Sequence, residues 1–263
     1  MNNEEDLDKA ISDFSEAIRL NPSDAEAYYN RGVLYGKKRY YDKAIPDFSE
    51  TIRLNPNDAE AYYNRGVSYG EKRDYDKAIS DYTEAIRLNP NLTDAYNNRG
   101  NVYYYKGDND KAISDCNEAI RLNPNLAESY GNRGLAYAEK GDHDKAMSDY
   151  SEAIRLNPNL ADVYYNRSLV YLHKEDYYKA ISDYNEAIRL NPKYAKDYYY
   201  RNYEYGIKGD HDKAISDCNE AIRLNPNLAI AYNNRGDVYR EKGNYDKTIA
   251  DYESALRIKE ARE

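Results

Sequence analysis

The sequence predicts an all-α repeat protein, and three observations carry that prediction. The dipeptide Asn-Pro recurs with its proline at 22, 56, 90, 124, 158, 192 and 226, a constant step of 34 residues. Each interval holds two stretches with apolar residues at helical spacing. In the first interval these are Tyr28, Gly32 and Tyr35, then Ala44, Phe48, Thr51 and Ile52. Between the stretches the common wording is KGD or KRD, a turn. Self-similarity at such a period marks one helix-turn-helix unit copied along the chain.

The elements follow in order. Residues 1–24 match only the second half of a unit. Seven full units come next, at 25–58, 59–92, 93–126, 127–160, 161–194, 195–228 and 229–262. In the first of them one helix is expected from about Ala25 to Lys38 and the second from about Tyr41 to Leu54. Asp74, Asp108, Asp142, Asp176 and Asp210 stand where a side-chain oxygen caps the second helix. Asn-Pro ends that helix, because proline disfavours helical geometry in the residue before it. Ser168 and Asn202 replace the glycine of the eighth place, so wider helix pairs are expected there. Pro46 falls inside a helix and should kink it.

The pattern resembles the tetratricopeptide repeat. In residues 59–92 its signature positions are Tyr62, Gly66, Tyr69, Ala78, Tyr82, Ala85 and Pro90. The resemblance covers essentially the whole chain. It implies an α-α superhelix, a solenoid in which each repeat buries the exposed face of the last.

A charge recurs at the flank of the first helix: Arg31, Arg65, Arg99, Arg133, Arg167, Arg201 and Arg235. An aspartate recurs on the partner helix: Asp47, Asp81, Asp115, Asp149, Asp183, Asp217 and Asp251. Opposite charges at half-buried places are expected to pair, each arginine with the aspartate 16 residues on. Such pairs fix registry more than they add net stability. The competing reading is that the arginines hold an anionic ligand.

On a helical wheel the second, fifth, sixth, ninth and thirteenth places of the first helix turn away from the partner helix. The resemblance implies that this side lines a concave groove. The sixth place reads Asn30, Asn64, Asn98, Asn132, Asn166, Tyr200 and Asn234. The fifth reads Tyr29, Tyr63, Asn97, Gly131, Tyr165, Tyr199 and Asn233, and Asn101 is a ninth-place residue. A carboxamide both donates and accepts, so a row of them suits an extended peptide backbone. The array resembles the asparagine ladder in the superhelix of O-linked N-acetylglucosamine transferase. The alternative is that these asparagines simply pack within and between repeats. Glu26, Glu60, Asp94, Glu128 and Asp162 form an acidic rail at the second place, which favours a neutral or basic partner. The lysine and arginine clamp with which some family members hold acidic chaperone tails has no counterpart, since Lys196 is the only lysine at a second place and none stands at a fifth.

Composition excludes other classes. A net charge of −9 with interleaved acids and bases argues against nucleic acid. No apolar run of membrane-spanning length occurs, and the acidic opening MNNEEDLDKA is unlike a signal peptide. Two cysteines, Cys116 and Cys218, are too few for a disulfide scaffold and point to a reducing, cytoplasmic setting. Both are expected to be small buried core residues. His143 and His211 are expected in exposed turns, and His143, His173 and His211 do not have metal-ligand spacing. No catalytic residue, metal site or cofactor is expected.

The reading is a non-enzymatic scaffold that binds a peptide or protein segment. One alternative is head-to-tail self-association through apolar ends, Ile11, Phe14 and Ile18 at one and Tyr252, Leu256 and Ile258 at the other. Another is a targeting module cut from a larger enzyme or complex subunit.

Overall fold

The computed structural model describes residues 3–261; the expected final boundary at 262 lies outside them. Among the described residues there are fifteen helices and no strand. Two compact units share them. Unit 1, up to Gly141, holds α1 (Asn3–Leu20), α2 (Ala25–Lys37), α3 (Tyr41–Leu54), α4 (Ala59–Glu71), α5 (Tyr75–Leu88), α6 (Thr93–Tyr105), α7 (Asn109–Leu122) and α8 (Ala127–Glu139). Unit 2, from Asp142, holds α9 (His143–Leu156), α10 (Ala161–His173), α11 (Tyr177–Leu190), α12 (Ala195–Ile207), α13 (His211–Leu224), α14 (Ala229–Glu241) and α15 (Tyr245–Glu260).

Within each unit a first helix packs on its second, as α4 does on α5 and α12 on α13. Alanine makes this approach possible: Ala44, Ala78, Ala112, Ala180 and Ala214 are wholly buried. Glycine at the eighth place does the same from the other side. A Cβ on Gly66 would lie 2.9 Å from the Tyr82 ring, and one on Gly236 would lie 2.7 Å from the Tyr252 ring. Where Asn202 replaces glycine, Cys218 replaces the aromatic and accepts from Asn202 Nδ2 at 3.0 Å. The exchange of volume leaves α12 and α13 packed as closely as the other pairs, and Ser168, small and buried, leaves α10 and α11 so too. The expected widening is absent. α3 runs unbroken through the exposed Pro46 with the same bounds as its counterparts.

The turns obey local chemistry. The residue before proline closes each second helix in an extended conformation, as at Asn89 (φ −132°, ψ 91°). Its side chain also accepts from the backbone two residues on, Asn91 N to Asn89 Oδ1 at 3.2 Å, which explains why asparagine recurs there. Asp108, Asp142 and Asp176 cap the second helix as expected, each accepting from a lysine backbone N–H. All five aspartates, Asp74 and Asp210 included, also pair with the ammonium of the lysine three residues on. At the fifteenth place the backbone is left-handed. Gly107, Gly141, Gly209 and Gly243 meet that demand without strain, whereas Arg39, Arg73 and Glu175 adopt it at φ near 60°.

The recurrent arginine is a clamp. Arg99 Nε and Nη2 donate to Asp115 at 2.7 and 2.8 Å, while Nη1 reaches Thr83 Oγ1 of the preceding repeat at 3.0 Å. Its guanidinium also lies 5.7 Å from the Tyr96 ring centroid. Arg31, Arg65, Arg167, Arg201 and Arg235 make the same bidentate pair with Asp47, Asp81, Asp183, Asp217 and Asp251. The hydrogen bonds to aspartate raise the pKa of Arg31 and Arg65 against the opposing effect of burial. Arg133 reaches Asn117 Oδ1 at 2.6 Å; its pairing with Asp149, across the unit boundary, stays an expectation. The clamps make the arginines part of the construction.

A second periodic contact is not apparent from the sequence. The lysine before each turn meets an aspartate of the preceding repeat, as Lys242 does Asp212 at 2.6 Å and Lys72 does Asp42. Tyr178 stands where that aspartate belongs for Lys208, which lies over the ring at 3.3 Å instead.

Candidate functional site

In unit 1 the first helices pack directly on one another, α2 on α4, α4 on α6 and α6 on α8. No two second helices of the unit pack in this way among the described residues. First helices therefore form the compressed, inner layer of that stack. In unit 2, α12 and α14 touch in the same manner.

The asparagine row lies on this layer, and its amides are already partly engaged. Asn64 Nδ2 donates to Tyr29 Oη and Asn98 Nδ2 to Tyr63 Oη, both at 3.1 Å. Asn132 Nδ2 donates to Asn97 Oδ1 at 3.0 Å. Each bond joins a sixth-place residue to the fifth-place residue 35 positions earlier. In unit 2 Asn234 Nδ2 donates to Asn202 Oδ1 of the preceding repeat at 3.5 Å, and the Tyr200 ring lies edge-on to that of Tyr165 at 5.7 Å. The row thus stitches one repeat to the next. A Tyr or Asn paired with an Asn 35 residues on was the sequence signal for this, hidden beside the stronger period.

The remaining expected residues divide by exposure. Asn97 is buried, with Nδ2 on Asn98 Oδ1 and Oδ1 shared by Ser129 and Asn132, so it offers a ligand nothing. Asn30, Asn101, Asn166 and Asn233 are half-buried. Tyr63 sits deep enough that burial, aided by Asp94, pushes its hydroxyl up to about 12. Tyr165, Tyr184, Tyr199 and Tyr200 form a continuous aromatic cluster, Tyr200 stacked on Tyr184 at 6.2 Å and edge-on to Tyr165 at 5.7 Å. Lys196 Nζ stands 4.1 Å over the Tyr165 ring.

Open space lies between neighbouring first helices. In unit 1 a hollow of about 530 Å³ is lined by Val67, Glu71, Arg73, Asn98, Asn101 and Tyr105. In unit 2 a hollow of about 350 Å³ is lined by Asn202, Tyr203, Ile207, Asn234, Val238 and Arg240. Tyr203 and Ile207 are about half exposed there. The acidic rail, Glu26, Glu60, Asp94, Glu128 and Asp162, is exposed along the same layer. Burial chiefly raises the Glu60 pKa, and the negative charges of Asp58 and Asp94 add to it.

Sequence reasoning missed two acids in α12. Asp197 and Glu204 occupy the third and tenth places, where other repeats carry residues such as Ala95, Val163, Val102 and Val170. They are 1% and 0% exposed, and none of their four carboxylate oxygens has a hydrogen-bond partner among the described residues. Burial pushes Asp197 up to about 6 and Glu204 up to about 7.

Other expectations resolve simply. Cys116 and Cys218 are wholly buried core thiols, and burial pushes that of Cys218 up to about 12. His143 and His211 are not exposed turn residues: each begins a helix and is half-buried, and His143 lies 4.3 Å, ring to ring, from His173. No group of side chains suited to a metal occurs among the described residues, and no described helix is long and apolar enough to cross a membrane.

Comparison with known proteins agrees with this geometry. A tetratricopeptide repeat profile matches residues 25–58, 59–92, 93–126 and 229–261, another of the same description matches 161–194, and a TPR repeat profile matches 4–38, 134–174 and 203–239. No curated protein sequence matches the chain. Among solved structures, MamA is 29% identical over 62% of this chain and 95% of its own, with a TM-score of 0.59. YrrB, described as a TPR protein with an unusual peptide-binding site, is 28% identical over 68% of this chain and 92% of its own, with a TM-score of 0.55. The Cut9–Hcn1 hetero-tetramer of the APC/C shares the fold at 21% identity and a TM-score of 0.77, over 88% of this chain and 46% of that one.

Proposed function

The chain belongs to the tetratricopeptide repeat family, a family of protein-interaction scaffolds, and from that premise we propose that it is a non-catalytic scaffold holding an extended peptide segment on its first-helix layer. The observation that carries the reading is the pair of hollows between neighbouring first helices, about 530 and 350 Å³, each with asparagine amides in its lining. The hollows take side chains, and the half-buried carboxamides reach the peptide backbone. The acidic rail makes neutral or basic segments the preferred partners, through long-range attraction that salt weakens.

Titration with labelled extended peptides tests this. Asn98→Ala together with Asn101→Ala, both in the lining of the 530 Å³ hollow, should weaken the best binder about tenfold, the equivalent of one or two hydrogen bonds. A best binder indifferent to both changes sinks the reading.

A second reading, self-association, has one specific support. α15 exposes Tyr245, Ile249 and Leu256, on the face that earlier second helices turn toward a following repeat. At the other end the expected apolar face is absent, since Ile11 and Phe14 are half-buried and Ile18 is buried against the rest of unit 1. Tyr252 is also half-buried and donates to Asp237 at 2.7 Å. Self-association should appear as a scattering mass that rises with concentration, and a constant monomer mass excludes it.

A further inference from the structure

Arg39 and Arg73 occupy the same place in successive repeats, both in left-handed backbone at φ 60° and 61°. Four other repeats carry glycine there. The Arg39 side chain has a structural reason to stay: it pairs with Glu71 at 3.3 Å, and Glu71 also accepts from the Tyr41 hydroxyl. One repeat on, the residue in the place of Glu71 is Tyr105, whose ring stacks on Tyr75 at 6.0 Å and 8°. Arg73 has therefore lost its acid, and it makes no ion pair among the described residues. It lines the 530 Å³ hollow with both of those tyrosines and with Asn101. A strained position kept by a charged side chain with no partner is a reason to look for a ligand.

We propose that this hollow receives one carboxylate side chain, Asp or Glu, of the bound peptide, with Arg73 in the role that Arg39 plays toward Glu71. Asn101 supplies an amide donor, and the stacked Tyr75 and Tyr105 rings form a flat wall for the methylene stem. Two arginines against one glutamate leave the hollow cationic, on a layer whose rail is otherwise acidic. That contrast gives the peptide a register: a neutral or basic segment with a single acid set between α4 and α6. The inference rests on the peptide-groove reading and adds sequence specificity to it.

The test is selection from a displayed library of random peptides of about twelve residues, roughly 40 Å long when extended, on the wild-type chain and on Arg73→Gly. Glycine suits the left-handed backbone, so this variant keeps its fold, and its melting curve should be unchanged or improved. Wild-type binders should share one Asp or Glu. Arg73→Gly, or replacement of that acid by its amide, should each weaken a selected peptide about tenfold, as loss of a charge-assisted hydrogen bond does. The two losses should not add, and Arg73→Lys should retain part of the affinity. Binders without a common acid, or binders indifferent to Arg73→Gly, overturn the carboxylate pocket and leave the groove standing. Binders that ignore both Arg73 and the Asn98 and Asn101 substitutions overturn both.

Discussion

Arg99→Leu is expected to lower the stability of the chain by about 3–5 kcal/mol, and adding Asp115→Leu should restore most of that loss. The single change strands Asp115, which is 7% exposed, without the two donors it accepts from at 2.7 and 2.8 Å. A buried carboxylate left alone is costly, whereas two apolar side chains in the space of an ion pair come close to breaking even. Recovery stops short of complete because Thr83 also loses the Arg99 Nη1 contact at 3.0 Å. Denaturant melts of the two single variants and the double variant form the necessary cycle. Losses that simply add would mean that the pair does not act as a unit.

Stability is expected to fall as pH rises from 5 to 8, and Glu204→Val with Asp197→Ala should abolish most of that fall. The folded-state values, about 6 for Asp197 and about 7 for Glu204, stand above ordinary carboxylate values near 4. The folded chain therefore holds protons that the unfolded chain releases. Stability is fully present below pH ~4, declines through the interval up to pH ~7 and is flat above it. A tenfold difference in proton affinity between the folded and unfolded chain corresponds to about 1.4 kcal/mol, so the two acids together cost several kcal/mol at pH 8. The Asp197 carboxylate feels the charges of Lys196 and Arg201 on its own helix and of Asp162 on α10, and it acts on Tyr165 of α10, while Glu204 acts on Tyr177 and Tyr184 of α11. Neither acid has an ion pair among the described residues. Valine and alanine stand at the same places elsewhere, as Val238 and Ala231 do, so the double variant should melt higher than wild type at pH 8. Thermal melts at the two pH values decide the matter; parallel shifts in wild type and variant would defeat it.

The helices and their bounds were legible in the sequence because the 34-residue period aligns every cap, glycine and proline. Charge pairing was legible for the same reason, since Arg31 and Asp47 repeat at a fixed offset of 16. The groove was less so. A wheel turns Asn64 and Asn98 away from the partner helix, but it treats one helix at a time and cannot show that Tyr29 and Tyr63 of the preceding repeat engage their amides. Asp197 and Glu204 were hidden for the opposite reason: an acid on a polar-looking helix such as AKDYYYRNYEYGI reads as surface until the neighbouring repeat covers it. Tyr105 was missed because its meaning lies in what it replaces, the glutamate of the repeat before.

The arginine clamp bears on how such a chain grows. Each guanidinium other than that of Arg133 grips its own aspartate and also reaches a serine, threonine or asparagine in the copy before it, Ser49 for Arg65 and Asn185 for Arg201. Plug and socket thus sit on every module. A duplicated module inserted at any joint finds a matching socket ahead and presents one behind, so whole copies can be gained or lost during descent. A fraction of a copy would put arginine against the wrong neighbour at every later joint.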